Sequence, residues 1–291
     1  MRIMLSIQNM DKPLDALVVE GGAMRGIFSA GVLDAFLQQE FNPFDICLGV
    51  SAGATNLASF LAGMHQRNFK VYTDYSLRPE FISWRKFLTG GHLLDLDWLW
   101  DITIRELRID IPRIINGNQR FLVGVTSVQT GEAHYINPSA DNIEELLKAS
   151  SSIPVLYRKQ VCINGQVYVD GGLADPIPVE EAFRHGARRI LVIRSRRKDY
   201  AMPLKTPATL YRYYLKDYPN LYQAAVARPS RYAKAIEFIR NPPHGVQVIE
   251  INPPDGFKTG RLTKNIEVLK SDYQLGVDAG KEAMAKWREL L

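Results

Sequence analysis

The run Gly49–Gly53 is the part of the sequence best suited to chemistry. It has the sequence Gly-Val-Ser-Ala-Gly, follows the apolar run Ile46–Leu48 and precedes a stretch of small residues, Ala54–Met64. This order predicts a strand, a sharp turn and a helix, with Ser51 held at the turn and its hydroxyl exposed at the sheet edge. A serine in that position is suited to nucleophilic attack on an ester carbonyl.

An aspartate later in the chain is the best candidate for the base that such a serine needs. A serine hydroxyl is a poor nucleophile until a neighbouring group takes its proton. Asp170 ends an apolar, strand-like run and enters a glycine pair, Gly171 and Gly172. This placement predicts a carboxylate on a loop at the sheet edge, where it can act on Ser51.

A glycine-rich turn near the N-terminus is suited to stabilise negative charge. Gly21, Gly22 and Ala23 follow a short apolar strand that ends at Glu20. Backbone amides aimed at a developing oxyanion are worth about 3 kcal/mol each, so we expect these three residues to form an oxyanion hole. Arg25 is expected to add positive charge nearby. Residues expected to support the turns of the three runs are Arg25, Gly26, Gly49, Gly53, Gly171 and Gly172.

The three runs Glu20–Gly26, Gly49–Gly53 and Asp170–Gly172 resemble, in that order, the three motifs of the patatin-like phospholipase family. The resemblance spans Ala16–Val179. It implies lipid acyl hydrolysis by a Ser51–Asp170 dyad without histidine, through an acyl-enzyme and with no metal or cofactor.

The resemblance also implies an oxyanion hole in the loop of Gly21, Gly22 and Ala23. One departure is that Ala23 stands where the family has a third glycine. An alanine keeps the amide but resists a positive φ.

The whole chain is predicted to be an α/β protein. Strand-like runs at Asp15–Glu20, Phe44–Val50 and Arg189–Arg194 alternate with helical patterns, which indicates a mostly parallel sheet. The resemblance implies a three-layer patatin-like fold with helices on both faces of the central sheet. We expect an N-terminal tail over residues 1–14 and one domain over residues 15–291, with the motif core at 16–179.

Composition narrows the class of protein. The chain has 291 residues, 46% of them hydrophobic, and a net charge of +5, which is ordinary for a globular protein. No nucleic-acid-binding signature is present, so a nucleic-acid partner is not expected. Without a signal peptide or an apolar run of about 20 residues, a cytoplasmic protein is the default, with peripheral membrane contact left open. Cys47 and Cys162 are expected to be buried thiols. The oligomeric state is undetermined by sequence.

Two segments have both a structural and a functional interpretation. The aromatic-rich span His65–Pro112 is either a helical cover over one sheet edge or, in part, the lining of an acyl-chain pocket. The basic span 184–234 is either a solvated surface or a contact with anionic membrane lipid. Its charged residues include Arg184, Arg188, Arg189, Arg194, Arg196, Arg197, Lys198, Arg212, Lys216, Arg228, Arg231 and Lys234.

Three alternative functions compete with the dyad hydrolase. A Ser-His-Asp esterase would place its histidine after the acid, and His244 in the loop Asn241–Gly245 fits that order better than His185, which is expected to cap a helix. A dinucleotide-binding module would use the glycine-rich run, but Ala23 replaces the second glycine of its motif. A non-catalytic lipid-binding protein would not need both Ser51 and Asp170.

Overall fold

A mixed β-sheet forms the centre of the computed structural model, which describes residues 13–203 and 208–290. Hydrogen-bonded neighbours follow the order β5-β6-β3-β2-β1-β7-β8, and β4 pairs in addition with β3. Strands β3, β2, β1, β7 and β8 are parallel to one another, whereas β4, β5 and β6 pair antiparallel. In the described residues the strands are β1 Leu14–Val19, β2 Ile46–Val50, β3 Arg120–Ser127, β4 Ala133–Ile136, β5 Val161–Ile163, β6 Gln166–Asp170, β7 Ala187–Ile193 and β8 Gln247–Ile251.

Helices cover both faces of this sheet. Over the described ranges they are α1 Gly26–Gln38, α2 Ala52–Leu61, α3 Arg67–Thr73, α4 Trp84–Leu88, α5 Leu96–Glu106, α6 Ile111–Ile115, α7 Ile143–Ser151, α8 Val179–Arg184, α9 Ala208–Tyr214, α10 Pro219–Arg240 and α11 Ile266–Arg288. Short 3₁₀ turns follow β1 and β6, at Ala23–Arg25 and Gly171–Leu173.

The alternation of side chains along β1 separates two cores. Leu17 and Val19 pack into one core with residues of α1, α2, α7 and α11. Ala16 and Val18 face the other side and pack with residues of α8 and α10. Because successive side chains of a strand point to opposite faces, the buried part of one strand contributes to both cores. The predicted α/β fold, a largely parallel sheet between two helical layers, is confirmed.

The aromatic-rich span His65–Pro112 folds as short helices, α3 to α6, with a small core of its own. Tyr75, Phe81, Leu94 and Leu99 are buried in that core, and Trp98 and Trp100 pack against it. The predicted helical cover is therefore present, and it also lines a cavity described below. In the described ranges, no helix is both long enough and apolar enough to cross a membrane.

Two local predictions are wrong. Cys47 is buried, but Cys162 is exposed, because β5 is an outermost strand and its central residue points away from the core. The run Tyr200–Asn241 predicts a helix interrupted near Pro229, but helix α10 continues through that proline, although its ring removes one backbone donor. Residues 1–12 of the predicted tail lie outside the described residues, and the division into a tail and one domain stays a prediction.

Candidate active site

Ser51 occupies a strained turn between β2 and α2. Its φ and ψ angles are 54° and −130°, a conformation that residues with a side chain rarely adopt. The turn fits tightly, since a Cβ at Gly49 would lie 2.8 Å from Ala54 and one at Gly53 would overlap the Val19 carbonyl oxygen. Ser51 is only 5% exposed, so the sharp turn predicted from the glycine spacing holds the hydroxyl in an enclosed site.

Strand register brings Asp170 to the same place. Val50, the last residue of β2, pairs with Gly124 of β3, and Asp170, the last residue of β6, pairs with the next residue, Val125. Strand β4 pairs with β3 at both positions, so β2 and β6 share the remaining edge of β3. The two strands meet end to end, and Ser51 follows directly from that meeting point.

The Asp170 carboxyl group is only partly satisfied by hydrogen bonds. Its Oδ1 atom accepts a 2.8 Å hydrogen bond from the Gly172 backbone N–H, while Oδ2 accepts none from the described residues. Burial raises the pKa of Asp170, and the neighbouring Ser51 hydroxyl and Arg228 charge oppose that rise. A buried carboxyl group with an oxygen in reserve is suited to take up a proton. Gly171 packs against the Gly124 carbonyl oxygen, where a Cβ would overlap.

Ser150, at the C-terminal end of α7, fixes the serine turn. Its Oγ accepts a 2.7 Å hydrogen bond from the Ser51 backbone N–H and donates a 2.7 Å hydrogen bond to the Gly124 carbonyl oxygen. The side chain is fully buried. Sequence reasoning missed this residue, because a serine within a Ser-Ser-Ser run has no local signal that points to a turn a hundred residues earlier.

The glycine-rich loop lies against the Ser51 side chain. A Cβ at Gly21 would lie 2.9 Å from Ser51 Cβ, so only glycine allows this approach. Ala23 adopts a positive φ of 50°, the conformation that alanine was expected to resist. The backbone N–H groups of Gly21, Gly22 and Ala23 donate to no backbone or side-chain acceptor within 13–203 and 208–290. Three consecutive amides therefore remain available beside Ser51.

Arg25 holds this loop in place, and its expected contribution of positive charge to the site stays a prediction. Its Nε donates a 3.1 Å hydrogen bond to the Ser195 carbonyl oxygen. Ser195 in turn donates from Oγ to the Gly21 carbonyl oxygen at 2.8 Å. Burial lowers the pKa of Arg25 to about 9. Gly26 also supports the loop, because a Cβ there would overlap the Tyr72 hydroxyl.

A large apolar cavity opens at Ser51. The cavity and its mouth span about 1010 Å³. Much of its wall comes from the span His65–Pro112, so the second interpretation of that span, the lining of a pocket, has structural support. The apolar lining residues from this span are Val71, Phe81, Leu94, Leu96, Leu99, Trp100, Ile104 and Ile109.

A smaller, more polar cavity also opens at Ser51. It spans about 560 Å³ with its mouth and includes Asp170 and the glycine-rich loop in its wall. Arg228 of α10 and Arg261, in the loop after β8, also line it. Ser51 and Ala23 line both cavities, so the serine lies where the two spaces meet. The sequence motifs contain no signal for either arginine.

The histidines proposed for a triad lie away from Ser51. His244 and His185 precede β8 and β7, at the sheet edge opposite the carboxyl ends of the parallel strands. His185 Nε2 lies 3.1 Å from Glu181 Oε1. No histidine is among the described residues that line the two cavities. Within the described ranges, no three His, Cys, Asp or Glu side chains are grouped to hold a metal ion.

Sequence comparisons match the chain to two family models and to several known proteins. The patatin-like phospholipase family matches residues 17–183, and a domain of unknown function, DUF6363, matches residues 218–291. The uncharacterized protein YjjU of Escherichia coli K12 is 35% identical over 283 residues, covering 95% of this chain and 78% of YjjU. Lysophospholipase NTE1 of Candida glabrata is 24% identical over 91% of this chain, which spans only 16% of NTE1.

The fold is also similar to a solved structure. VipD from Legionella pneumophila superposes with a TM-score of 0.51 at 14% identity, covering 94% of this chain and 67% of VipD. Family membership supports a lipid hydrolase and leaves the dinucleotide-binding alternative without support. On the match over residues 17–183 and the similarity to YjjU, the chain belongs to the patatin-like phospholipase family.

Proposed function

We propose that this protein is a serine lipid acyl hydrolase that works with a Ser51–Asp170 dyad. The observation that carries the proposal is the end-to-end meeting of β2 and β6 along β3. It places a strained serine beside a buried carboxyl group, at the wall of a cavity that the glycine-rich loop also lines. The pattern and the family resemblance point to the same residues.

In the first half of the reaction, Ser51 attacks the ester carbonyl carbon while Asp170 takes the hydroxyl proton. The Oδ2 atom, which accepts no hydrogen bond from the described residues, is the natural acceptor. Negative charge develops on the carbonyl oxygen, and the amides of Gly21, Gly22 and Ala23 are suited to bind it. The alcohol then leaves with the proton that Asp170 returns, and the acyl group stays on Ser51.

In the second half, water replaces the alcohol. Asp170 takes a proton from that water as it attacks the acyl carbonyl, and returns the proton to the Ser51 oxygen as the fatty acid leaves. This sequence requires the alcohol and the water to approach from the side of Asp170. The small cavity, which Asp170 lines, offers that approach.

The large cavity is suited to hold the acyl chain of the substrate. Its lining is mainly apolar side chains, and burying each methylene contributes about 0.8 kcal/mol. A fatty-acyl ester therefore fits with its chain in this cavity and its carbonyl at Ser51. The lysophospholipase NTE1 relatives carry a name of the same reaction class, which supports a phospholipid or lysophospholipid substrate.

A covalent probe combined with substitutions tests the proposal. We expect a fluorophosphonate to label Ser51, and both Ser51→Ala and Asp170→Asn to lower ester hydrolysis by about 10⁴-fold, because the dyad acts as one unit. His244→Ala is expected to retain the rate and serves as the control.

Two outcomes would separate the alternatives. Loss of activity in a folded His244→Ala variant would favour the Ser-His-Asp esterase. An unlabelled Ser51, together with lipid binding but no hydrolysis, would favour the non-catalytic lipid-binding protein.

We also propose that the protein is cytoplasmic and makes a peripheral contact with anionic membrane. The basic span 184–234 is a weak candidate for the surface that makes this contact. Arg194 is fully buried and Arg189 forms a 2.6 Å ion pair with Asp15. Arg197 pairs with Asp199 and Asp255. Helix α4, which exposes the side chains of Trp84 and Leu88, is better suited to meet lipid.

A further inference from the structure

The side of the active site that receives the alcohol is defined by Asp170. An acid that returns a proton to the leaving oxygen must lie within hydrogen-bond reach of it. Asp170 lines the small cavity but not the large one. With the acyl chain in the large apolar cavity, the alcohol part of the ester extends into the small cavity.

Arg228 presents a guanidinium group to this small cavity. It lies in α10, outside the residues that match the patatin-like family. Its Nε donates a 2.5 Å hydrogen bond to the Gly172 carbonyl oxygen, next to the catalytic turn, and Nη1 lies 3.6 Å from the Met202 sulfur. No carboxylate in the described ranges pairs with Arg228 within 4.0 Å. The side chain is thus oriented by the turn, with hydrogen-bond donors left for a ligand.

Arg261 approaches from the loop between β8 and α11. It lines both cavities, next to Ala23 and Ser51, and its backbone carbonyl oxygen accepts the Met24 N–H at 3.4 Å. Within 13–203 and 208–290, its guanidinium group forms no ion pair with a carboxylate. The positive charge of Arg261 lowers the pKa of Arg228, after the larger effect of burial, as expected for two neighbouring guanidinium groups.

The net charge of this small cavity is positive. Asp170 is the carboxylate among its lining residues, against the two arginines. Glu20 is close but already engaged, because its Oε2 accepts the Ser195 N–H at 2.7 Å and lies 3.8 Å from Arg194 Nε. Arginine pairs hold phosphate groups well, since their planar donors match the phosphate oxygens.

We propose that Arg228 and Arg261 form an anion subsite that binds a phosphate group on the leaving alcohol of the ester. The proposal rests on the hydrolase function above and assigns two residues to the phosphate group of its substrate. It also gives the C-terminal segment, residues 218–291, a role in the reaction, because this segment supplies both positive charges that line the small cavity. Free inorganic phosphate has the same chemistry and is the competing occupant.

A matched pair of soluble esters tests the subsite. Monohexanoyl glycerol and its phosphate monoester share the acyl chain and differ only in the phosphate on the leaving alcohol. A charge-assisted contact predicts that the wild-type kcat/KM is about 10- to 100-fold higher for the phosphorylated ester. Arg261→Gln should lower that ratio by about 10-fold.

The control variant is Lys258→Gln, which removes one positive charge from the same loop. Lys258 is exposed and lines neither cavity, so the ratio should stay at its wild-type value. Arg228→Lys keeps the charge but loses the guanidinium geometry, and it should lower the ratio less than Arg261→Gln. A ratio near unity in the wild type, unchanged in Arg261→Gln, would overturn the subsite while leaving the hydrolase intact.

Calorimetric titration with inorganic phosphate gives a readout independent of turnover. The subsite is supported if Arg261→Gln weakens phosphate binding and Lys258→Gln does not. This support holds even if neither ester is hydrolysed, whereas the absence of hydrolysis would overturn the hydrolase proposal. Such binding without any preference between the two esters would assign the site to free phosphate and overturn its role with the leaving alcohol.

Discussion

The backbone N–H of Ser51 donates a 2.7 Å hydrogen bond to Ser150 Oγ, so the serine turn is tied to the end of α7 and, through Ser150, to the Gly124 carbonyl oxygen of β3. This buried bridge holds a backbone conformation that is unfavourable by itself. Removing it leaves an amide and a carbonyl group unsatisfied, at a cost of about 1–3 kcal/mol for each. The strained turn at Ser51 would then be held by fewer hydrogen bonds.

Ser150→Ala is therefore expected to lower both stability and rate. We predict a drop of about 1–3 kcal/mol in the free energy of unfolding and about a 10-fold or greater loss of kcat, measured by denaturant titration and ester hydrolysis. Ser152→Ala is the matched control, because the hydroxyl of that buried serine donates only to the Lys148 carbonyl oxygen of α7. A wild-type kcat in Ser150→Ala would show that the bridge does not hold the nucleophile.

The raised pKa of Asp170 predicts opposite effects of pH on activity and stability. Burial raises this pKa above its ordinary value, and a general base must be ionised, so kcat/KM should fall as pH drops through the raised pKa. A carboxyl group with a raised folded-state pKa binds its proton more tightly when folded. Its contribution to stability is present at low pH and is lost as pH rises through that pKa.

Asp170→Asn should therefore be inactive but more stable than the wild type above the raised pKa of Asp170. The stability difference should shrink as pH falls, since the wild-type carboxyl group then becomes neutral as well. Thermal denaturation of both proteins across the pH range provides the measurement. A variant that is less stable than the wild type at every pH would contradict the claim that the buried charge is a cost.

Ala23 tests whether the loop amides are placed by backbone conformation. Its φ of 50° is open to glycine, unfavourable by about 1 kcal/mol for alanine and worse for a β-branched residue. Ala23→Gly should retain the rate, whereas Ala23→Val should lower kcat by about 10-fold or more, with a smaller change in the fluorophosphonate-labelled fraction of enzyme. Equal rates in the two variants would show that Ala23 is not part of the oxyanion hole.

Local patterns predicted the parts of the site that lie on sharp turns. The runs around Gly21, Ser51 and Asp170 each combine glycines with a strand end, and parallel strands bring such ends to one edge of a sheet. The structure brings these residues together, and their catalytic roles stay predictions. The fold class and the family were predicted correctly for the same reason, because alternating strands and helices with ordered motifs are visible in sequence.

Residues that act across the fold left no such pattern. Ser150 and Arg261 reach the site through tertiary packing alone, and Arg228 is one of 36 lysines and arginines in the chain. The contact of Arg25 with Ser195 also had no signal in sequence, because the two residues are 170 positions apart. Basic residues that are close in sequence are also separated in space, because successive side chains of β7 point to opposite faces of the sheet.

Helix α4 and the basic span 184–234 are two candidate surfaces for contact with lipid. Helix α4 exposes Trp84 and Leu88, whose side chains are 60% and 82% accessible. It follows Phe81, which lines the large cavity. Exposed Arg85 lies on the same helix, and Arg158 stacks 4.7 Å from the centre of the Phe87 ring. Tryptophan and leucine beside basic groups, a few residues along the chain from a lining residue of the large cavity, are suited to an anionic bilayer surface.

Replacing Trp84 and Leu88 together by Ser should weaken binding to vesicles that contain anionic lipid by about 10- to 100-fold. Hydrolysis of a small soluble ester should continue at the wild-type rate, because neither residue lines the cavities. Replacing Arg196, Arg197 and Lys198 by Gln should have a smaller effect, since Arg197 is paired with Asp199 and Asp255 and Arg196 stacks on Tyr200. Vesicle sedimentation at two salt concentrations measures the binding of both variants. Weaker vesicle binding by the triple variant, with unchanged binding by the double variant, would place the lipid contact on the basic span.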